Sequence, residues 1–158
     1  MRAPVLLLLA GAVAAAPAAA ADWAAQAAWV GKYPYDRMGG VRLFESPPLA
    51  DELRRLVGPE GVRFLGGLHV ETPVAREGGT LIAQACRPHA CPDANGAVIL
   101  DTATGGLAVC LWRPAQKGEF EKRWYLSGRA KPIVTRMRGD ELRDCFREPA
   151  EMVAERPR

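Results

Sequence analysis

The chain has 158 residues, with 21 Lys+Arg against 18 Asp+Glu, a formal charge of +3 and 49% hydrophobic side chains. That excess of positive charge is too small for the electrostatic footprint of a nucleic-acid binder. The length suits one domain with a real core, and no internal repeat points to a solenoid.

The first 21 residues read as a leader that does not belong to the fold. Arg2 supplies the charge, Val5 to Val13 the short apolar stretch, and Ala18 to Ala21 the small residues of a cleavage site. The apolar run is short for a membrane span, which takes about 20 residues. No cysteine stands at the cleavage point to carry a lipid anchor. The expectation is a soluble, exported chain starting near Asp22, with a bacterial periplasm as its compartment. Losing Arg2 leaves a charge of about +2, so any charge steering of a partner has to be local.

Asp22 to Val30 predicts a short helix, with Asp22 as N-cap and Gly31 ending it. Tyr33 to Gly40 is a turn-rich connector. Leu49 to Val57 predicts an amphipathic helix: Leu49, Leu53, Leu56 and Val57 recur at helical spacing between Asp51, Glu52, Arg54 and Arg55, with Pro47-Pro48 before it and Gly58-Pro59 after it. The pattern then turns to short apolar or β-branched runs. Strands are predicted over Val62–Leu65, Leu68–Thr72, Thr80–Ala85, Ala97–Leu100, Leu107–Trp112, Arg123–Leu126 and Pro132–Met137. Gly66-Gly67, Gly78-Gly79, Asn95-Gly96, Gly105-Gly106, Lys117-Gly118 and Ser127-Gly128 break them. Asp101 to Gly106 reads as a hairpin loop. Asp140 to Phe146 closes the domain as a short helix with Leu142, Cys145 and Phe146 on its inner face, and a frayed tail follows from Arg147. The fold class is α+β: a central antiparallel sheet with short helices before and after it.

Four cysteines in an exported chain make disulfides the default, and four allow three pairings. The pairing favoured here is Cys86–Cys91 with Cys110–Cys145. The second closes about 36 residues, worth nearly 4 kcal/mol in the chain-entropy model, and ties the closing helix to the sheet. The first closes only about six, worth on the order of 2 kcal/mol. What it adds is stiffness around Arg87-Pro88-His89-Ala90, a loop at the sheet rim with one of the chain's two histidines in it. Pro88 fixes one backbone torsion, and a stiff loop loses less ordering entropy when it docks.

Other readings of these residues are weaker. Cys86, His89 and Cys91 do not suggest zinc, because export oxidises thiols and no second His or Cys pair has ligand spacing. A redox dithiol has two residues between its cysteines, and this pair has four. His69 fits an exposed strand position better than a site. Trp23, Trp29, Trp112 and Trp124 fit core or rim, and the arginines near Arg54 and from Arg136 to Arg143 fit solvated faces. Motifs for a serine hydrolase, a phosphate loop or a zinc protease are absent. Nothing selects a carboxylate pair among Glu45, Glu52, Glu71 and Glu77. The reading is therefore not an enzyme, with no catalytic residue, no cofactor and no metal.

Cys86-Arg87-Pro88-His89-Ala90-Cys91 after an apolar strand resembles the Ivy family, the inhibitors of vertebrate lysozyme, whose signature is Cys-Lys-Pro-His-Asp/Asn-Cys. The likeness is close in the loop and extends by pattern over about Val62 to Trp112. The resemblance implies a loop that projects from an antiparallel sheet into the lysozyme cleft, where its histidine meets the catalytic carboxylates. His89 would be that imidazole, Cys86 and Cys91 its staple, Pro88 its stiffener and Arg87 the stand-in for lysine. Ala90 departs from the pattern and removes a side chain able to hydrogen-bond across the interface, a difference of about 1.5–3 kcal/mol for a charged bond. The implied partner is a lysozyme or a lytic transglycosylase, with no nucleic acid, no membrane anchor and a homodimer left open. The expected layout is a signal peptide over 1–21, an inhibitor-like domain over 22–146 and a flexible tail over 147–158. The competing reading is a non-catalytic envelope binding or structural module that uses the loop as a staple or for another partner.

Overall fold

A computed structural model describes residues 22–138 and 145–146. The leader over 1–21, the closing helix over 140–146 apart from Cys145 and Phe146, and the tail from 147 lie outside the described residues.

The chain enters through a 3-10 turn at Ala24–Trp29, whose first turn donates the Ala25 N–H to the Asp22 carboxylate at 3.2 Å. The connector then runs through a second short turn at Leu43–Glu45 into α1 (Leu49–Gly66). Gly58 breaks α1 in two, with φ at +68°, a left-handed value that glycine reaches without steric cost. Pro59 starts the second half at once, as proline does at a first helical position. Val62–Leu65 is therefore helix, which corrects the strand expected there. A four-residue apolar run fits either period, and burial of Gly61 and Leu65 on one side settles it as helical.

Seven strands follow: β1 (Val70–Glu71), β2 (Ala75–Glu77), β3 (Thr80–Cys86), β4 (Asn95–Asp101), β5 (Leu107–Pro114), β6 (Glu119–Leu126) and β7 (Ile133–Arg138). They form one antiparallel sheet in the order β1-β3-β4-β5-β6-β7, with β2 also on β3. The α+β class is as expected. The strand expected over Leu68–Thr72 shrinks to β1, and β2 was not foreseen. All three β2 residues are exposed, so no burial period marks them. Asn95-Gly96, read as a break, opens β4. A Cβ on Gly96 would lie 3.1 Å from the Cys110 carbonyl oxygen, Leu65 and Leu68, so the glycine is there for close approach.

Both faces of the sheet are covered, which is why β4 and β5 read as unbroken apolar runs. Leu81, Ala83 and Ala85 of β3, Val98 and Leu100 of β4, and Leu107, Val109 and Leu111 of β5 join the α1 leucines in one core. The alternate residues Ile82, Ala97, Ile99, Ala108, Cys110 and Trp112 form a second core with Trp124 and Cys145. The Cys110–Cys145 disulfide lies in that second core, both residues fully buried. Trp29, Trp112 and Trp124 are core residues, as expected.

Candidate functional site

Cys86 ends β3 and pairs across the ladder with Asn95, the first residue of β4. Residues 87–94 form the connection between them. Cys86 is 3% exposed and bonded to Cys91, with Cα atoms 4.8 Å apart. The Arg87 N–H donates to the Ala94 carbonyl at 2.9 Å and carries the ladder one step further. The Ala90 N–H donates to the Arg87 carbonyl at 3.0 Å, closing a four-residue turn. Pro88 occupies its second position and His89 its third, where φ is +60°. That is the pattern of a type II turn, whose third position normally takes glycine. One helical turn follows, with the Asp93 and Ala94 N–H groups donating to the Ala90 carbonyl at 3.0 and 2.8 Å.

Arg87, Pro88 and His89 are exposed, whereas Ala90 and Cys91 are half-buried. Among the described residues, no side chain pairs with the His89 imidazole. A side chain in the left-handed region costs roughly 1–2 kcal/mol relative to glycine. The ring, the proline and the four backbone hydrogen bonds hold His89 there regardless.

The far side of the loop is braced from below. Asn95, fully buried, donates its Nδ2 to the Cys91 carbonyl at 2.9 Å and accepts the Cys145 N–H on Oδ1 at 3.1 Å. The Trp112 indole Nε1 donates to the Pro92 carbonyl at 2.8 Å, and its ring stacks on Phe120 at 5.0 Å. Sequence reasoning missed Asn95 and the Trp112 bond. The signal for Asn95 was ambiguous, since Asn-Gly marks turns far more often than a buried strand start.

Two groups flank the loop on the same rim. On one side lies His69, exposed as expected, just before β1. Tyr35 meets its ring edge-on at 4.7 Å, and the Arg42 guanidinium lies 3.6 Å over the Tyr35 ring. Glu71 accepts the Tyr35 N–H at 2.9 Å, and partial burial pushes its carboxyl above the ordinary value. On the other side, Arg113 and Arg123 converge on Glu121, which is 4% exposed, with Arg123 donating at 2.5 Å. That bond, first among several causes, holds the Glu121 carboxyl below its ordinary range. Among the described residues, no group of three or more His, Cys, Asp or Glu side chains is placed to hold a metal. No described helix is long and apolar enough to cross a membrane.

Fold and loop together define a protein that presents a covalently closed, braced loop from the rim of an antiparallel sheet. The family model "Inhibitor of vertebrate lysozyme (Ivy)" matches residues 48–132, from the start of α1 to the turn before β7 and the loop in full. The chain belongs to the Ivy family. The match is wider than the stretch from Val62 to Trp112 that the pattern suggested. No curated protein sequence and no solved structure matches the chain.

Proposed function

We propose that this protein is an exported inhibitor of a vertebrate-type lysozyme, acting by insertion of Arg87, Pro88, His89 and Ala90 into the catalytic cleft. The observation that carries the reading is His89 itself. It is a non-glycine residue in a left-handed conformation, at the exposed tip of a stapled ring. Backbone strain of this kind persists where the surroundings over-determine it, typically at functional sites.

The chemistry follows from the target. A retaining muramidase works with two carboxyl groups about 5 Å apart, one kept protonated by its apolar site. A neutral imidazole donates to one and accepts from the other, and an imidazolium donates to both. Arg87 adds positive charge suited to an acidic cleft, and a vertebrate lysozyme's own basic surface leaves steering to this local patch. Ala90 offers no polar side chain at the family's Asp/Asn position, so this inhibitor is weaker by about one or two decades than one with that bond. The leader over 1–21, the disulfides and the family support export into the periplasm, with residues 22–146 as a single domain.

The test is peptidoglycan turnover by a vertebrate-type lysozyme with the purified mature protein added. Stoichiometric inhibition by the wild type, lost in His89→Ala, is expected. No inhibition at micromolar protein, or equal inhibition by both, overturns the reading.

A further inference from the structure

We propose that Asn95 is a positioning residue, which fixes the presentation of the His89 loop by tying it to the core disulfide. This deepens the reading above and rests on it for its consequence in binding. One buried side chain joins the two covalent links: Nδ2 holds the carbonyl of Cys91, the outer end of the small ring, while Oδ1 holds the amide of Cys145, the outer end of the large one. A primary amide places a donor and an acceptor side by side, which is what these two partners need. The reverse orientation of the amide would set N–H against N–H and oxygen against oxygen, so the network fixes which atom is which.

The ring alone does not fix the loop's attitude. Its Cys86 end is anchored in β3, but its Cys91 end lies outside any strand and is half-buried. Two buried side chains hold that end: Asn95 at Cys91, and Trp112 at Pro92, one residue on. Asn95 and Trp112 are themselves ladder partners, so both bonds rise from one rung of the sheet. The turn carrying His89 is thereby referred to the second core, not to the strand ends alone. A loop free to pivot about Cys86 would offer the same imidazole in many orientations, and binding would then have to select one of them.

Asn95→Leu nearly keeps the size of the side chain and removes both arms, the donor to the Cys91 carbonyl and the acceptor of the Cys145 amide. The first readout is amide hydrogen exchange in the free protein. Exchange should quicken about tenfold at Arg87, Ala90 and Ala94, one decade corresponding to about 1.4 kcal/mol, while the amides of Ala103 and Gly105 at the other end of β4 stay unchanged. The second readout is lysozyme binding, where dissociation should quicken about tenfold with little change in association. Uniform acceleration of exchange throughout the sheet, or none at the loop, overturns the proposal. Should Asn95→Leu not fold, Asn95→Ser, which leaves one short hydroxyl for two partners, should give the same local pattern; an unchanged loop there overturns it equally. Binding that does not respond to His89→Ala sinks the insertion reading instead, and leaves the exchange pattern to decide the role of Asn95.

Discussion

The two ends of β4 carry connections of contrasting construction. At Asp101–Gly106, the turn is shaped by its own residues and joined to the neighbouring turn through Thr102, whose N–H and hydroxyl both donate to the Gly79 carbonyl. The Asp101 carboxylate accepts the Ala103 N–H at 2.9 Å, the Asp101 carbonyl accepts the Gly105 N–H at 2.8 Å, and glycine takes the left-handed position. At 87–94, a histidine takes the left-handed position, and the loop's own turn bonds are reinforced by a disulfide to the strand end and, from the core, by Asn95, Trp112 and through Asn95 Cys145. The first connection is the one a chain makes when it only needs to reverse. The second spends distant contacts on holding a titratable side chain outward. Non-local supports under a strained tip fit the proposed role of this loop in displaying His89.

The contrast can be pressed by taking the supports away. Cys110→Ala with Cys145→Ala should cost the most, about 4 kcal/mol of unfolding free energy for a closed loop of this length, read by denaturant melts; a loss near zero would mean that the second core does not need its bond. Cys86→Ser with Cys91→Ser should cost about 2 kcal/mol and weaken inhibition beyond that of a folded control. Inhibition unaffected by opening the ring would make the staple purely structural. His89→Ala should lower affinity for lysozyme at least tenfold, about 1.4 kcal/mol, with the melting temperature nearly unmoved. Asp101→Ala should give the mirror image, about 1 kcal/mol of stability lost with inhibition unchanged. If Asp101→Ala impairs inhibition as much as His89→Ala does, the two ends of the strand are not different in kind.

The strands of the sheet centre were legible because their apolar runs lie between glycine turns, and the disulfide pairing followed from which loops each bond would close. Two features hid. Val62–Leu65 was too short to show its period, and Pro59 was read as an ending when it begins the second half of α1. The loop's tip was visible as a motif, with Arg87, Pro88, His89 and Ala90 in place between their cysteines. Its bracing was not, because Asn95 and Cys145 are 50 positions apart and meet only after the sheet has formed. Side-chain to backbone bonds of that span leave no periodicity in a sequence.

An open sheet must also end, and each end is a row of amides ready to accept another chain. Among the described residues, the outermost strand beside β6 is β7, whose Arg136 and Arg138 side chains are 67% and 86% exposed. Within the molecule they answer Glu121 and Glu119 of β6, at 3.6 and 3.5 Å. A second copy adding itself antiparallel along β7 would find no such glutamates on that strand, and would bring its own arginines close to these. At the opposite edge β1 and β2 span two and three residues, too short to template a ladder. The sheet that carries the loop thus discourages growth by addition at either side.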